Sequence, residues 1–225
     1  MSTYGVVIPA YNASATIAET LRSVAAQTQR PELVVVVDDG STDDLAAAIG
    51  GIDLPLRLLR QDNAGPGSAT TRGITALSTP FIATLDADDL WLPGKIAAQL
   101  AHLDRLPATS GVFTHIRSFR DGEPGAMAPT ATPGWSRSTM LIRREAAGSI
   151  GPMVDPPGGR GEMIDWIARG REAGFVLDMI GEVLALRRIR PGSLSYGRDM
   201  ARDRGYLEVA RLAMLRRAQS KASSS

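Results

Sequence analysis

Four short apolar runs, each broken by a polar, turn-forming stretch and followed by a helical pattern, do most to restrict what this chain can fold into. Tyr4–Ile8, Leu33–Val37, Leu56–Leu59 and Phe81–Leu85 are rich in β-branched and aliphatic residues. They suit strands buried on both faces and are too short for helices. Between them Ile17, Leu21, Val24 and Ala25 fall at helical spacing, with Asn12 or Ser14 expected as the cap. Residues 38–44 read as a turn that also caps a second helix, and the Gly-rich stretch 61–74 opens a third. Strands alternating with helices predict an α/β fold with a mostly parallel central sheet and helices on both faces. In such sheets ligands sit beyond the carboxyl ends of the strands, where strand order reverses. An order 3-2-1-4 makes the first and fourth strands neighbours. The loops beginning at Pro9 and Asp86 then flank one crevice, with Asp38 and Asp39 beside it.

The fourth run ends in Asp86-Ala87-Asp88-Asp89. Carboxylates so close repel by about 1 kcal/mol per pair at 4 Å even in water. A hard divalent cation, sharing its oxygen ligands with substrate phosphates, offsets that repulsion. The competing reading is an acidic strand-to-helix turn in which Asp89 caps a helix starting near Pro93. The four residues alone do not separate the two.

Past Trp91 the pattern loosens. Helices are expected over 93–106, 143–150, 162–174 and 199–217, and strands over 112–119, 138–142 and 183–189. Residues 121–134 read as a surface loop, 151–161 as a mobile Gly- and Pro-rich segment, and 219–225 as a disordered tail. A length of 225 residues suits one domain, expected to span 1–218, and no internal repeat is present. A net charge of +1 supplies no field for nucleic acid. The lack of cysteine excludes disulfides and thiolate metal sites and fits a reducing, cytoplasmic setting. No run of 18 apolar residues and no leader-like start are present, so neither a membrane span nor a signal peptide is expected. The last helix is basic. Its expected packing runs through Leu207, Ala210 and Met214, with peripheral contact to an anionic membrane as the alternative.

VVIPAYNA (6–13), VVDDGSTDD (36–44), DNAGPGSATTRG (62–73) and LDADDLW (85–91) stand in register. Together they resemble the inverting glycosyltransferases of family 2, of GT-A fold, over roughly the first 95 residues. A looser similarity continues through 138–153, 161–175 and 186–195. The resemblance implies a nucleotide-sugar-binding half, 1–106, and a variable acceptor half, 107–218. It implies that a nucleotide-diphosphate sugar, a UDP-sugar as first guess, lies against Pro9, Ala10, Tyr11, Asn12, Asp39, Gly67, Arg72, Asp86, Ala87, Asp88 and Arg190. Asp88 and Asp89 would hold a divalent metal, Mn2+ or Mg2+. Gly67 would let the backbone approach the nucleotide, and Arg72 would offer a fork to phosphate or base.

Two positions depart from the family pattern. Inversion needs a base on the acceptor side, which the family supplies from an acidic pair before a helix. Here the second member of that pair is Met163, which leaves Glu162 or Asp165 as base. Where relatives often carry His, this chain has Arg190, which cannot ligate a metal but can contact a diphosphate. A nucleotide-sugar-binding relative without turnover is therefore the alternative. A phosphatase of the haloacid dehalogenase type would place its Asp-X-Asp after the first strand, and a nucleotidyltransferase would want a Lys-bearing Gly loop there. His102 and His115 show no partner at ligand spacing, and Trp91, Trp135 and Trp166 suit either a sugar face or the core. Sugar, acceptor and oligomeric state are not written in the sequence.

Overall fold

The computed structural model describes residues 2–157, 159–190 and 200–223, with only the backbone described at 123–126, 200–202, 217 and 220–223. Strands β1 (Tyr4–Ala10), β2 (Leu33–Asp38), β3 (Leu56–Arg60) and β4 (Phe81–Thr84) lie in the order β3-β2-β1-β4, all parallel. This is the 3-2-1-4 order expected. Every residue of β1 is buried, as a central strand between two helical layers must be. Helices α1 (Ile17–Ala25), α2 (Leu45–Ala48) and α3 (Pro66–Thr75) join the strands.

The remainder extends the same sheet. β5 (Leu90–Trp91) and α4 (Lys95–Arg105) follow the acidic turn, then β6 (Thr109–Arg120), β7 (Glu123–Met127), β8 (Thr132–Pro133) and β9 (Leu141–Arg143). Next come α5 (Arg144–Ile150), α6 (Glu162–Glu172), β10 (Val176–Ile189) and α7 (Met200–Ser223). β9 pairs antiparallel with β4 and β6, β10 runs parallel to β6, and β5 pairs antiparallel with β10. The last pairing matters most for function, because it carries residues 187–190 beside the acidic turn.

The two faces of the sheet make two cores. Val6, Ile8, Val34 and Val36 pack with Ile17, Leu21 and Val24 of α1 and Ile96, Leu100 and Leu103 of α4. Val7, Val35, Val37 and Ile82 pack with Ala147 and Ile150 of α5 and Trp166 and Ile167 of α6. α3 lies close on β1 because Gly73 has no Cβ; one placed there would sit 2.3 Å from Val7 Cγ1.

Several expectations are corrected. Neither Asn12 nor Ser14 caps α1. Thr16 stands at that N-cap without a side-chain capping bond, since the 12–14 stretch is engaged with the loop after β2. Asp89 caps no helix, because α4 starts at Lys95 after Gly94. Residues 121–134 hold β7 and β8, both added antiparallel to β6. β10 begins at Val176 rather than 183, and α7 continues to Ser223, into the stretch expected to be a tail. α7 buries Gly205 and Val209, whereas Leu207 and Met214 are 74% and 70% exposed and Ala210 is exposed. Among the described residues no helix is long and apolar enough to cross a membrane.

Candidate active site

A crevice of about 710 Å³ opens at the carboxyl ends of β1 and β4. Pro9 and Ala10 end β1 along one wall, with Tyr11 just past the strand, and Asp39, Asn63 and Gly65 continue it. Asp86 to Asp89 form the floor, and Trp135 to Arg137, Glu162 to Ile164, Arg190 and Tyr206 face them. Tyr11 is 53% exposed, so its ring is free to stack on a flat ligand.

The wall loops are tied to one another. Asn12, whose φ of +48° an asparagine tolerates better than most residues, accepts Thr42 N–H at 2.8 Å through Oδ1. Ser14 N–H donates to Asp43 Oδ2 at 2.7 Å. Asn12 therefore joins the first two loops, and it is Tyr11 beside it that lines the crevice. Asp39, 3% exposed, accepts Ala64 N–H at 2.9 Å, Gly65 N–H at 2.9 Å and Gln61 Nε2–H at 2.7 Å. Its carboxylate fixes the glycine-rich turn and still borders the crevice.

The acidic turn is clamped from α1. Thr16 and Thr20 hydroxyls donate to Ala87 O at 2.9 and 3.0 Å, and Thr20 also donates to Asp89 O at 2.9 Å. The three carboxylates have separate fates. Asp89 is buried, accepts Arg188 N–H at 2.9 Å and the Ser138 hydroxyl, and so fastens the turn to β10. Burial first, and then its two acidic neighbours, push its carboxyl well up from the usual range. Asp88 lies 3.6 Å from Arg190 Nε; burial and Asp86 raise it, with Arg190 opposing. Asp86 accepts Arg137 Nε–H at 2.6 Å.

Arg137 is the residue the sequence did not reveal. Buried in the short 3-10 turn Arg137–Thr139, it donates to Asp86 on one side and to Glu162 on the other. Burial opposes its charge, but Asp86 and Glu162 outweigh that and raise its pKa. One guanidinium thus bridges the strand-tip acids and the first residue of α6. The only trace in the chain is an arginine ahead of a strand, with nothing local to distinguish it.

Glu162 and Met163 face the crevice, whereas Asp165 does not line it. Both Asp165 oxygens are engaged, with Arg169 Nε and Arg216 Nη1, each at 2.9 Å. Asp165, expected with Glu162 as a candidate base, is thus held by Arg169 of its own helix and Arg216 of α7 and lies off the crevice wall. Gly67 and Arg72 are likewise outside the crevice wall: Gly67 faces Asp155, and Arg72 is exposed on α3. Trp91 and Trp166 are core residues donating to Ser138 O and Gly151 O, which leaves Trp135 alone of the three at the crevice. His102 is not partnerless, since its Nε2 lies 3.0 Å from Asp178 Oδ2, away from the crevice.

Among the described residues no three His, Cys, Asp or Glu side chains gather closely enough to hold an ion by themselves. Asp86 and Asp88 nevertheless suit a cation that takes its other ligands from phosphates, as Mg2+ commonly does. Burial first, and then the neighbouring Asp86, raise the Asp88 carboxyl, with Arg190 opposing. Asp89 does not suit one, both its oxygens being committed.

The profile of Glycosyl transferase family 2 matches residues 5–156, more than half of the chain. The amylovoran biosynthesis glycosyltransferase AmsB of Erwinia amylovora is 29% identical over 208 residues, covering 81% of this chain and 68% of that protein. The succinoglycan biosynthesis protein ExoO of Rhizobium meliloti (strain 1021) is 34% identical over 151 residues, 62% of this chain and 43% of that protein. The chain spans only 20% of an uncharacterized glycosyltransferase of Rickettsia conorii that it matches at 34% identity over 122 residues, 53% of its own length. S. aureus TarS, solved in complex with UDP-GlcNAc, aligns at a TM-score of 0.77 and 19% identity over 95% of this chain and 66% of that one. At that identity the likeness is one of fold, the GT-A type.

Proposed function

The chain belongs to glycosyl transferase family 2, and on that premise we propose that it moves a sugar from a nucleotide-diphosphate sugar to an acceptor hydroxyl, with inversion at the anomeric carbon. A UDP-sugar is the donor of first choice, since TarS was solved with UDP-GlcNAc on the same fold. The observation that carries the proposal is the bridge Asp86–Arg137–Glu162 across one crevice.

Tyr11 offers the base a stacking face, Asp39 borders the base and ribose, and Asp86 and Asp88 face the diphosphate. Arg190 sits where a guanidinium can neutralise phosphate oxygens. A divalent ion held by Asp88 and Asp86 would supply charge neutralisation for the departing nucleotide. Glu162, oriented through Arg137, takes the acceptor's proton as its oxygen attacks. We assign donor binding to 1–106 and acceptor binding to 107–218. A cytoplasmic location fits the absence of cysteine.

Met163 beside Glu162 favours a second reading, a binder without turnover. Thermal shift with UDP, GDP, TDP and CDP, each with and without Mn2+, identifies the nucleotide and the metal requirement. Release of UDP from a UDP-sugar, lost in Asp88→Ala, is the result expected of a transferase. Binding with no release under any acceptor leaves the second reading standing.

A further inference from the structure

Four backbone N–H groups stand in a row at the entry to α3, those of Ala64, Gly65, Gly67 and Ser68, broken only by Pro66, which has none. The first two go to Asp39, in the donor half. The other two go to Asp155, which lies 88 residues further along the chain than Gly67. Gly67 N–H donates to its Oδ1 at 2.8 Å and Ser68 N–H to its Oδ2 at 2.9 Å. A helix start leaves these donors without intrahelical partners, and its dipole favours a carboxylate there.

The approach is close enough to forbid side chains. A Cβ on Gly65, at φ +96°, would fall 2.6 Å from the Asp155 carboxyl, and one on Gly67 would fall 2.9 Å away. A second tie lies two residues earlier, where Met153 N–H donates to Thr71 Oγ1 at 2.9 Å. Met153 and Asp155 are thus tied to α3, and the chain from there leads into α6, whose first residue is Glu162. Asp155 also lies within electrostatic reach of Glu162 and Arg137.

We propose that Asp155 is a positioning residue for the transfer: its carboxylate fastens the segment before α6 to the first turn of α3 and so sets Glu162 against the donor. The inference rests on the crevice being a transferase site. It explains why one turn receives a carboxylate from each half of the molecule. Through Asp39 that turn is referenced to the donor, and through Asp155 to the base. Misplacing a catalytic group by about 1 Å costs on the order of a hundredfold in rate, so two hydrogen bonds to this segment bear on turnover.

The test compares the wild-type chain with Asp155→Ala, Asp155→Asn and Thr71→Val. UDP affinity, the kcat and KM for UDP-GlcNAc hydrolysis to water, and the rate of tryptic cleavage after Arg160 are measured. Asp155→Ala is expected to lower kcat roughly ten- to a hundredfold, with UDP affinity and KM within about threefold of wild type. Asp155→Asn, which keeps one accepting oxygen, should recover part of kcat, and Thr71→Val should show a smaller loss of the same kind. Cleavage after Arg160 should quicken in step with the loss of kcat. An Asp155→Ala protein with wild-type kcat overturns the proposal, as does one that loses UDP affinity and kcat equally, which is the mark of a collapsed turn. A wild-type chain that binds none of UDP, GDP, TDP and CDP, and hydrolyses none of the corresponding sugar donors, sinks the transferase reading instead, and with it any catalytic part for Asp155.

Discussion

Glu162 and Asp165 lie three residues apart on α6, yet one faces the crevice and the other an arginine pair. Replacing each therefore has opposite consequences. Glu162→Gln keeps the size of the side chain and removes the base, so donor turnover to an acceptor is expected to fall roughly a hundredfold or more. UDP binding should persist, which calorimetry on the same preparation checks. Asp165→Asn breaks the pairs with Arg169 and Arg216, so the melting temperature falls while kcat stays near wild type. A kcat that follows Asp165 rather than Glu162 reverses the assignment.

The element that holds the acidic turn in place is α1, reaching through Thr16 and Thr20. Thr20→Val leaves Asp89 O without its hydroxyl donor, Ala87 O keeping that of Thr16, at a cost of about 1–3 kcal/mol. Denaturant unfolding should show that loss, together with weaker Mn2+-dependent UDP binding. Behind the turn, α4 carries a buried lysine. Lys95 Nζ donates to Gln99 Oε1 at 2.8 Å and lies 4.2 Å from the Trp91 ring centroid. The ring face favours the ammonium, but burial opposes it and wins, holding the pKa well below the ordinary 10.5. The sign follows: between the lowered folded value and 10.5 the unfolded chain binds more protons, so stability rises with pH across that window. Lys95→Met should flatten the rise of melting temperature with alkaline pH, and an unchanged slope counts against a neutral Lys95.

At the scale of the molecule, α7 is the last wall of the crevice, through Tyr206. It docks because Gly205 has no side chain; a Cβ there would sit 2.0 Å from Arg160 O. Arg160 pairs with Asp203 at 2.7 Å, and Arg216 reaches both Asp165 and Glu172 on α6. Gly205→Val is expected to undock α7, seen as faster proteolysis of that helix while the rest of the chain stays folded. A protease pattern identical to wild type would show that α7 is held by other contacts.

The sheet order, the crevice and the acidic turn were all legible in the residues, because each strand declares itself by an apolar run and each tip by the polar residues that follow. Tyr11, Asp39, Asp86 and Asp88 stand at the crevice for that reason. Arg137, Asp155 and the docking face of α7 were not legible, nor was it legible that Gly67, Arg72 and Asp165 lie off the crevice wall and that Asp89 is tied to Ser138 and Arg188. Several of the deciding partners lie far along the chain: 51 residues from Asp86 to Arg137, 88 from Gly67 to Asp155, 51 from Asp165 to Arg216. Local periodicity encodes which face a residue shows to the sheet, so the sequence alone determines the strand tips and the loops that crown them. Which carboxylate stays open to a ligand and which is tied to an arginine, a hydroxyl or a helix start depends on neighbours brought together by packing, and only the tertiary structure decides it.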